Sequence, residues 1–146
     1  MEEILESKDP SNRCFACSPY NEHGLRMTFV RTGPRTVESH YSVEPYHCGA
    51  TGVVHGGIQA TLLDDTMGKA VQVHTGLAWK RARIATVEFR IRYRRPVPVG
   101  KPLTIRAELV RTEGRDLYVK GQILNAAQEV LTTAEARWRE LDMPSE

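Results

Sequence analysis

The chain has only three cysteines in 146 residues. That odd and small number excludes a disulfide framework and points to a reducing compartment, the cytoplasm. No apolar run approaches the roughly 20 residues that would cross a bilayer, so no membrane association is expected. The N-terminus, MEEILESKDP, lacks the basic-then-apolar layout of a secretory leader. An excess of one charge is missing too: 20 Lys and Arg face 18 Asp and Glu, a formal net charge of +2. A nucleic-acid binder would carry a stronger basic surplus on one face, so no nucleic-acid partner is expected. There is no internal repeat or low-complexity tract. No GxSxG elbow is present, which removes the serine-hydrolase reading.

What is there fits one α+β domain. Residues 1–24 are polar and rich in turn formers, and read as a loosely structured lead-in to a single domain over 25–146. Leu25 to Arg31 and Thr36 to Val43 are β-prone and flank Gly33-Pro34, a turn signal, so they predict a hairpin. A loop from Glu44 to Val54 leads to a helix from about Gly57 to Val73. In TVEFRIRY, Val87, Phe89, Ile91 and Tyr93 alternate with Thr86, Glu88, Arg90 and Arg92, the period of a half-buried strand. Segments around Leu103–Leu109, Leu117–Ile123 and Val130–Trp138 repeat that character. The order β-β-α-β-β-β-β predicts one antiparallel sheet wrapped around one long central helix.

The helix carries the unusual chemistry. Its opening, VVHGGIQATLLDDTMG, begins with two glycines, each about 1 kcal/mol worse than alanine in a helix interior. Gly57, Thr61, Asp64 and Gly68 share one stripe at spacings of four, three and four. Asp64 thus stands among small residues, in a groove with room for a ligand. Asp65 points about 100° away, on a stripe with Ile58, Leu62 and Lys69, where Lys69 at i+4 makes an ion pair. The first amides of a helix lack intrahelical acceptors and carry the positive end of its dipole. Glycine there lets an oxygen approach without a Cβ in the way, which is oxyanion-hole geometry. A glycine pair alone would be no more than a tight entry turn. His55 before it and an acid two turns later make it specific.

Four motifs together, CFACSPYNEHGLRM, HCGATGVV, HGGIQATLLDDTMG and TVEFRIRYRRPVPVGKPL, resemble the hotdog-fold thioesterases, specifically the phenylacetate-pathway (PaaI-type) branch. The resemblance runs in order from Cys14 to about Leu103. It implies an acyl-coenzyme A substrate and thioester hydrolysis. Gly56 would supply a backbone N–H to the thioester carbonyl. Asp64, nine positions after His55, would act as general base or nucleophile, and Thr86 would help place water or substrate. His55 would shape the loop beside the thioester, with Gly57, Thr61 and Gly49 lining the substrate site. Where some relatives have asparagine six residues before the histidine, this chain has Gly49. The family's sites lie between subunits, Gly56 of one facing Asp64 of the other, so a homodimer or homotetramer is implied. No cofactor is.

Other features read more plainly. Cys14-x-x-Cys17 with His23 and Cys48 would make a four-ligand zinc set, but a second CxxC is absent, so structural cysteines are favoured and no metal is expected. Lys80, Arg81, Arg83, Arg90, Arg92, Arg94 and Arg95 gather charge around one strand. Most would be solvated, with one or two reaching coenzyme A phosphates. His40, His47 and His74 read as surface or loop histidines, Trp79 and Trp138 as packing residues. The Asp-x-Asn-Pro-x-x-His signature of hotdog enoyl-CoA hydratases is missing. A non-catalytic acyl-CoA-binding protein is the alternative from another class.

Overall fold

The structure, a computed structural model, describes residues 2–76 and 84–141. Trp79, Lys80, Arg81 and Arg83 lie outside the described residues. Strands β1 (Glu3–Leu5), β2 (Phe29–Arg31) and β3 (Thr36–Tyr41) precede helix α1 (Gly56–Thr75), and β4 (Ile84–Tyr93), β5 (Leu103–Glu113), β6 (Asp116–Leu124) and β7 (Val130–Glu140) follow it. The seven strands form one sheet in the order β1-β2-β3-β5-β6-β7-β4, antiparallel throughout. Helix α1 packs across β2 to β7. Leu62, Leu63, Met67, Ala70 and Val71 are its buried apolar face, set against Val37, Ile105, Leu109, Val119 and Ile123 from the strands. This is the predicted architecture.

Three details differ from the sequence reading. Residues 3–5 form a strand paired to β2, Ile4 opposite Val30, although no periodic pattern is long enough to announce three residues. The lead-in also contributes Ala16 and Cys17 to the core. Residues 25–28 do not extend the hairpin. Instead Leu25 and Met27 donate their N–H groups to the carbonyls of Phe15 and Ala16, at 2.8 and 2.9 Å, so the lead-in takes the place that a longer β2 would have filled.

The third difference lies in β4. Its register against β7 slips between Thr86, opposite Trp138, and Glu88, opposite Arg137. Val87 is therefore the extra residue of a β-bulge, which reverses side-chain alternation at that point. Strict alternation puts Thr86 on the face with Arg90 and Arg92. The bulge instead brings Thr86 onto the same face as Phe89, toward α1, and leaves Val87 41% exposed.

Candidate active site

Helix α1 starts where the loop before it is tied down. His55 donates its N–H to His47 O at 3.0 Å, and Val54 donates to Val97 O at 2.7 Å. His55 is then the N-cap, its Nδ1 accepting the Gly57 N–H at 2.9 Å. A ring nitrogen thus does the work of a capping Ser or Asp. The N–H of Gly57 is thereby occupied, while that of Gly56 has no hydrogen-bond acceptor among the described residues. Gly49 sits against the His55 ring, where a Cβ would stand 3.4 Å from His55 Cα. Thr61 donates its hydroxyl back to Gly57 O at 3.0 Å, satisfying the helix itself.

The two ends of the α1 segment Gly56–Asp64 are both gripped by β4. Tyr93 donates its hydroxyl to Gly56 O at 2.9 Å, and a Cβ on Gly56 would stand 3.2 Å from that hydroxyl oxygen. Thr86 donates its hydroxyl to Asp64 Oδ1 at 2.8 Å. Thr86 and Asp64, together with Ala60, Thr61 and Phe89, line an open cleft of about 280 Å³. Sequence reasoning passed over Tyr93 as a site residue because a strand tyrosine at an apolar position reads as core. Its exposure and its bond to Gly56 exist only once the helix is docked.

The adjacent acids part company. Burial raises the Asp64 carboxyl above its ordinary value, with the Asp65 charge adding to the rise, while the Thr86 hydroxyl and Lys69 oppose it. Asp65 Oδ2 lies 3.4 Å from Lys69 Nζ, and that lysine is buried, as the i+4 spacing predicts. Gly68 also departs from its expected role. A Cβ there would stand 2.7 Å from Trp138 Cη2, so this small residue admits an indole ring, not a ligand. Of this stripe only Thr61 and Asp64 line the open cleft, and neither Gly57 nor Gly68 does.

Of the basic residues, Arg90, Arg92 and Arg94 line a separate groove of about 210 Å³ with Lys120, Gln122, Thr133 and Glu135. Arg95 pairs with Glu129 at 2.5 Å. His23 and Cys48 do not join Cys14 and Cys17. The described residues that could ligate a metal together are Cys14, Cys17 and Asp65.

Helix, wrapped sheet and the glycine-opened N-terminus place the chain in one class. Residues 51–132 match the family model of the Thioesterase superfamily, more than half of the sequence, and the chain belongs to that family. Among curated proteins it is similar to acyl-coenzyme A thioesterase THEM4 of Rattus norvegicus, 32% identical over 95 residues, covering 64% of this chain and 38% of that protein. It is also similar to acyl-coenzyme A thioesterase 13 of Homo sapiens, 31% identical over 93 residues, covering 63% of this chain and 62% of that protein. The matches span 33% to 46% of the length of the first THEM4 relatives. The E. coli PaaI protein of the phenylacetic acid degradation operon shares the hotdog fold, with a TM-score of 0.71 at 15% identity over 81% of each chain. No described helix is long and apolar enough to cross a membrane.

Proposed function

We propose that this protein hydrolyses acyl-coenzyme A thioesters in the cytoplasm, with Asp64 delivering water and the Gly56 N–H receiving the oxyanion. The observation that carries the reading is Asp64 itself: a carboxylate whose described hydrogen bond is to the Thr86 hydroxyl, lining an open cleft on a glycine-opened helix. An acid kept only for structure would be paired as Asp65 is.

The chemistry requires little more. The thiolate leaving group has a conjugate acid near pKa ~8.5, comparable to a cysteine, so it departs without a general acid. Asp64 takes a proton from water as the oxygen attacks the carbonyl carbon, or attacks that carbon directly to form an anhydride that water opens. The carbonyl oxygen gains charge and is met by the Gly56 N–H at the positive end of α1; losing one such donor typically costs ~3 kcal/mol in the transition state. Thr86 orients the carboxylate, and Tyr93 holds the Gly56 peptide in place.

Gly56 and Asp64 are eight residues apart, about 12 Å along a helix axis. No single carbonyl spans that distance, which supports the arrangement the family resemblance implies, a site assembled from Gly56 of one subunit and Asp64 of another. The outer edge of β4 supports this reading. It is a ten-residue edge strand, mostly exposed and ending at Tyr93, and such an edge invites pairing with another copy. A homodimer, or a homotetramer built from two, is the assembly this reading requires. One or two of Arg90, Arg92 and Arg94 are the candidates to meet coenzyme A phosphates.

The test is thiol release from short, long and aromatic acyl-CoAs by wild type and Asp64→Ala side by side. Turnover by wild type and its loss in the variant is the expected result. Binding of acyl-CoA without thiol release by wild type would favour the non-catalytic alternative.

A further inference from the structure

Cys14 and Cys17 lie outside the thioester cleft, yet they are arranged with more care than packing requires. Ser18 donates its N–H to Cys14 O at 3.1 Å, closing a turn that folds the two cysteines together. Cys17 donates its N–H to Cys14 Sγ at 3.4 Å. On its other side Cys14 Sγ donates to Asp65 Oδ1 at 3.7 Å. The two sulfurs and a carboxylate oxygen of Asp65 lie within 4.8 Å of one another. Behind them Lys69 Nζ stands 3.4 Å from Asp65 Oδ2 and 5.1 Å from the Phe29 ring centroid. The sulfurs are unlike. Cys14 is partly exposed and Cys17 is buried. The Lys69 ammonium beside Asp65 disfavours a divalent cation in the same space, so the arrangement suits sulfur chemistry better than metal ligation.

We propose that Cys14 and Cys17 form an oxidisable dithiol, Cys14 being the sulfur that a hydroperoxide oxidises and Cys17 the thiol that resolves it. The Cys14 thiolate, its proton already released to solvent, attacks one peroxide oxygen. An S–O bond forms, the O–O bond breaks, and the departing oxygen takes a proton from water to leave as alcohol or water. Sulfur loses two electrons, peroxide gains them, and Cys14 becomes a sulfenic acid. Cys17 then attacks Cys14 Sγ: the S–S bond forms, the S–O bond breaks, and the Cys17 proton leaves with the hydroxide as water. The turn has only to close the sulfurs to the disulfide distance of about 2.05 Å. The protonation pattern agrees with this assignment. A hydrogen bond from the Cys17 thiol lowers Cys14 to about 6 against its burial and the Asp65 charge, while that same bond, with burial, raises Cys17. A low, accessible thiolate beside a resolving thiol is what peroxide sensing uses.

The experiment treats a Cys48→Ser background with limiting hydrogen peroxide and follows intact mass, peptide mapping and dimedone trapping. An intramolecular Cys14–Cys17 disulfide, reversed by dithiothreitol, is expected. Cys17→Ser should stop at a dimedone-trapped sulfenic acid on Cys14, and Cys14→Ser should consume peroxide at least tenfold more slowly. Three results would overturn the proposal: both thiols staying free at peroxide levels that oxidise Cys48 in the wild type, the first oxygen landing on Cys17, or stoichiometric zinc in the purified protein that shields both sulfurs. Mapping of the unsubstituted pair decides the matter even where a serine variant fails to fold.

Discussion

Asp64 and Asp65 are neighbours on one helix, and they occupy opposite worlds. On the Asp64 side α1 faces an open cleft, and the nearest described partner is a neutral hydroxyl on β4. On the Asp65 side the lead-in covers the helix, bringing Cys14 to one carboxylate oxygen and leaving Lys69 on the other. One residue, about 100° around the helix, thus separates a carboxylate facing an open cleft from one paired with a lysine. A charge is costly to bury unless paired, so an acid that stays half-buried beside a neutral donor fits the catalytic role proposed for Asp64. The difference also explains why their exchange should not be symmetrical.

Asn at each position breaks the comparison most sharply. Asp64→Asn should lower kcat by roughly 10²- to 10⁴-fold, the range for losing a general base. Its folded-state pKa is raised, so the folded chain binds the proton more tightly than the unfolded one. That contribution to stability is present at low pH and lost as pH rises through the folded value. At neutral pH the ionised Asp64 therefore works against folding, and the variant should melt no lower than wild type. Asp65→Asn should do the reverse: near-wild-type kcat, with about 3 kcal/mol lost as Lys69 is left without that carboxylate. Calorimetry and thiol release on both proteins check it. Equal loss of activity would erase the distinction.

Two glycines, Gly68 on the Asp64 stripe and Gly52 in the loop before α1, offer the next contrast. Gly68→Ala would drive a methyl to within 2.7 Å of the Trp138 ring, and overpacking of this kind costs about 1–3 kcal/mol. Gly52→Ala adds a methyl that meets nothing, but at a φ of +82°, so its cost comes from backbone strain of about 1 kcal/mol. Denaturant melts should rank Gly68→Ala as the more destabilising.

Much of this is legible in the sequence, because the helix obeys a 3.6-residue period and its signals are local. The Gly56 opening, the Asp65–Lys69 pair and the separate standing of Asp64 all follow from counting along α1. The sheet side was harder. Alternation assigns Thr86 to the outer face, and only the bulge at Val87 turns it inward. A bulge is set by the register of the strand across from it, which lies 50 residues away and leaves no mark in TVEFRIRY. Tyr93 was missed for a similar reason, since its partner is a backbone carbonyl on another element. The lead-in was underrated because its core residues, Ala16 and Cys17, are small and interrupted by polar neighbours.

Thr86→Val sharpens the comparison from the β4 side. The hydroxyl that restrains the Asp64 pKa would be gone while the bulge remains. The acid limb of the pH–rate profile should then move to higher pH, because a base must be ionised to act and Asp64 would hold its proton longer. A fall in kcat with an unmoved profile would mean that Thr86 places water and does not tune the acid.

The smallest effect expected is at His55, and it separates capping from catalysis. His55→Ala removes the acceptor for the Gly57 N–H and should cost about 1 kcal/mol, the usual loss for an N-cap. It also leaves a second unused amide beside that of Gly56, so the oxyanion position is no longer unique. Asn is a good N-cap and can accept the same N–H. His55→Asn should therefore recover the stability lost in His55→Ala. If it recovers turnover as well, His55 acts by holding the helix start. If stability returns and turnover does not, the imidazole itself touches the thioester, and the site includes one more functional side chain than the cleft alone reveals.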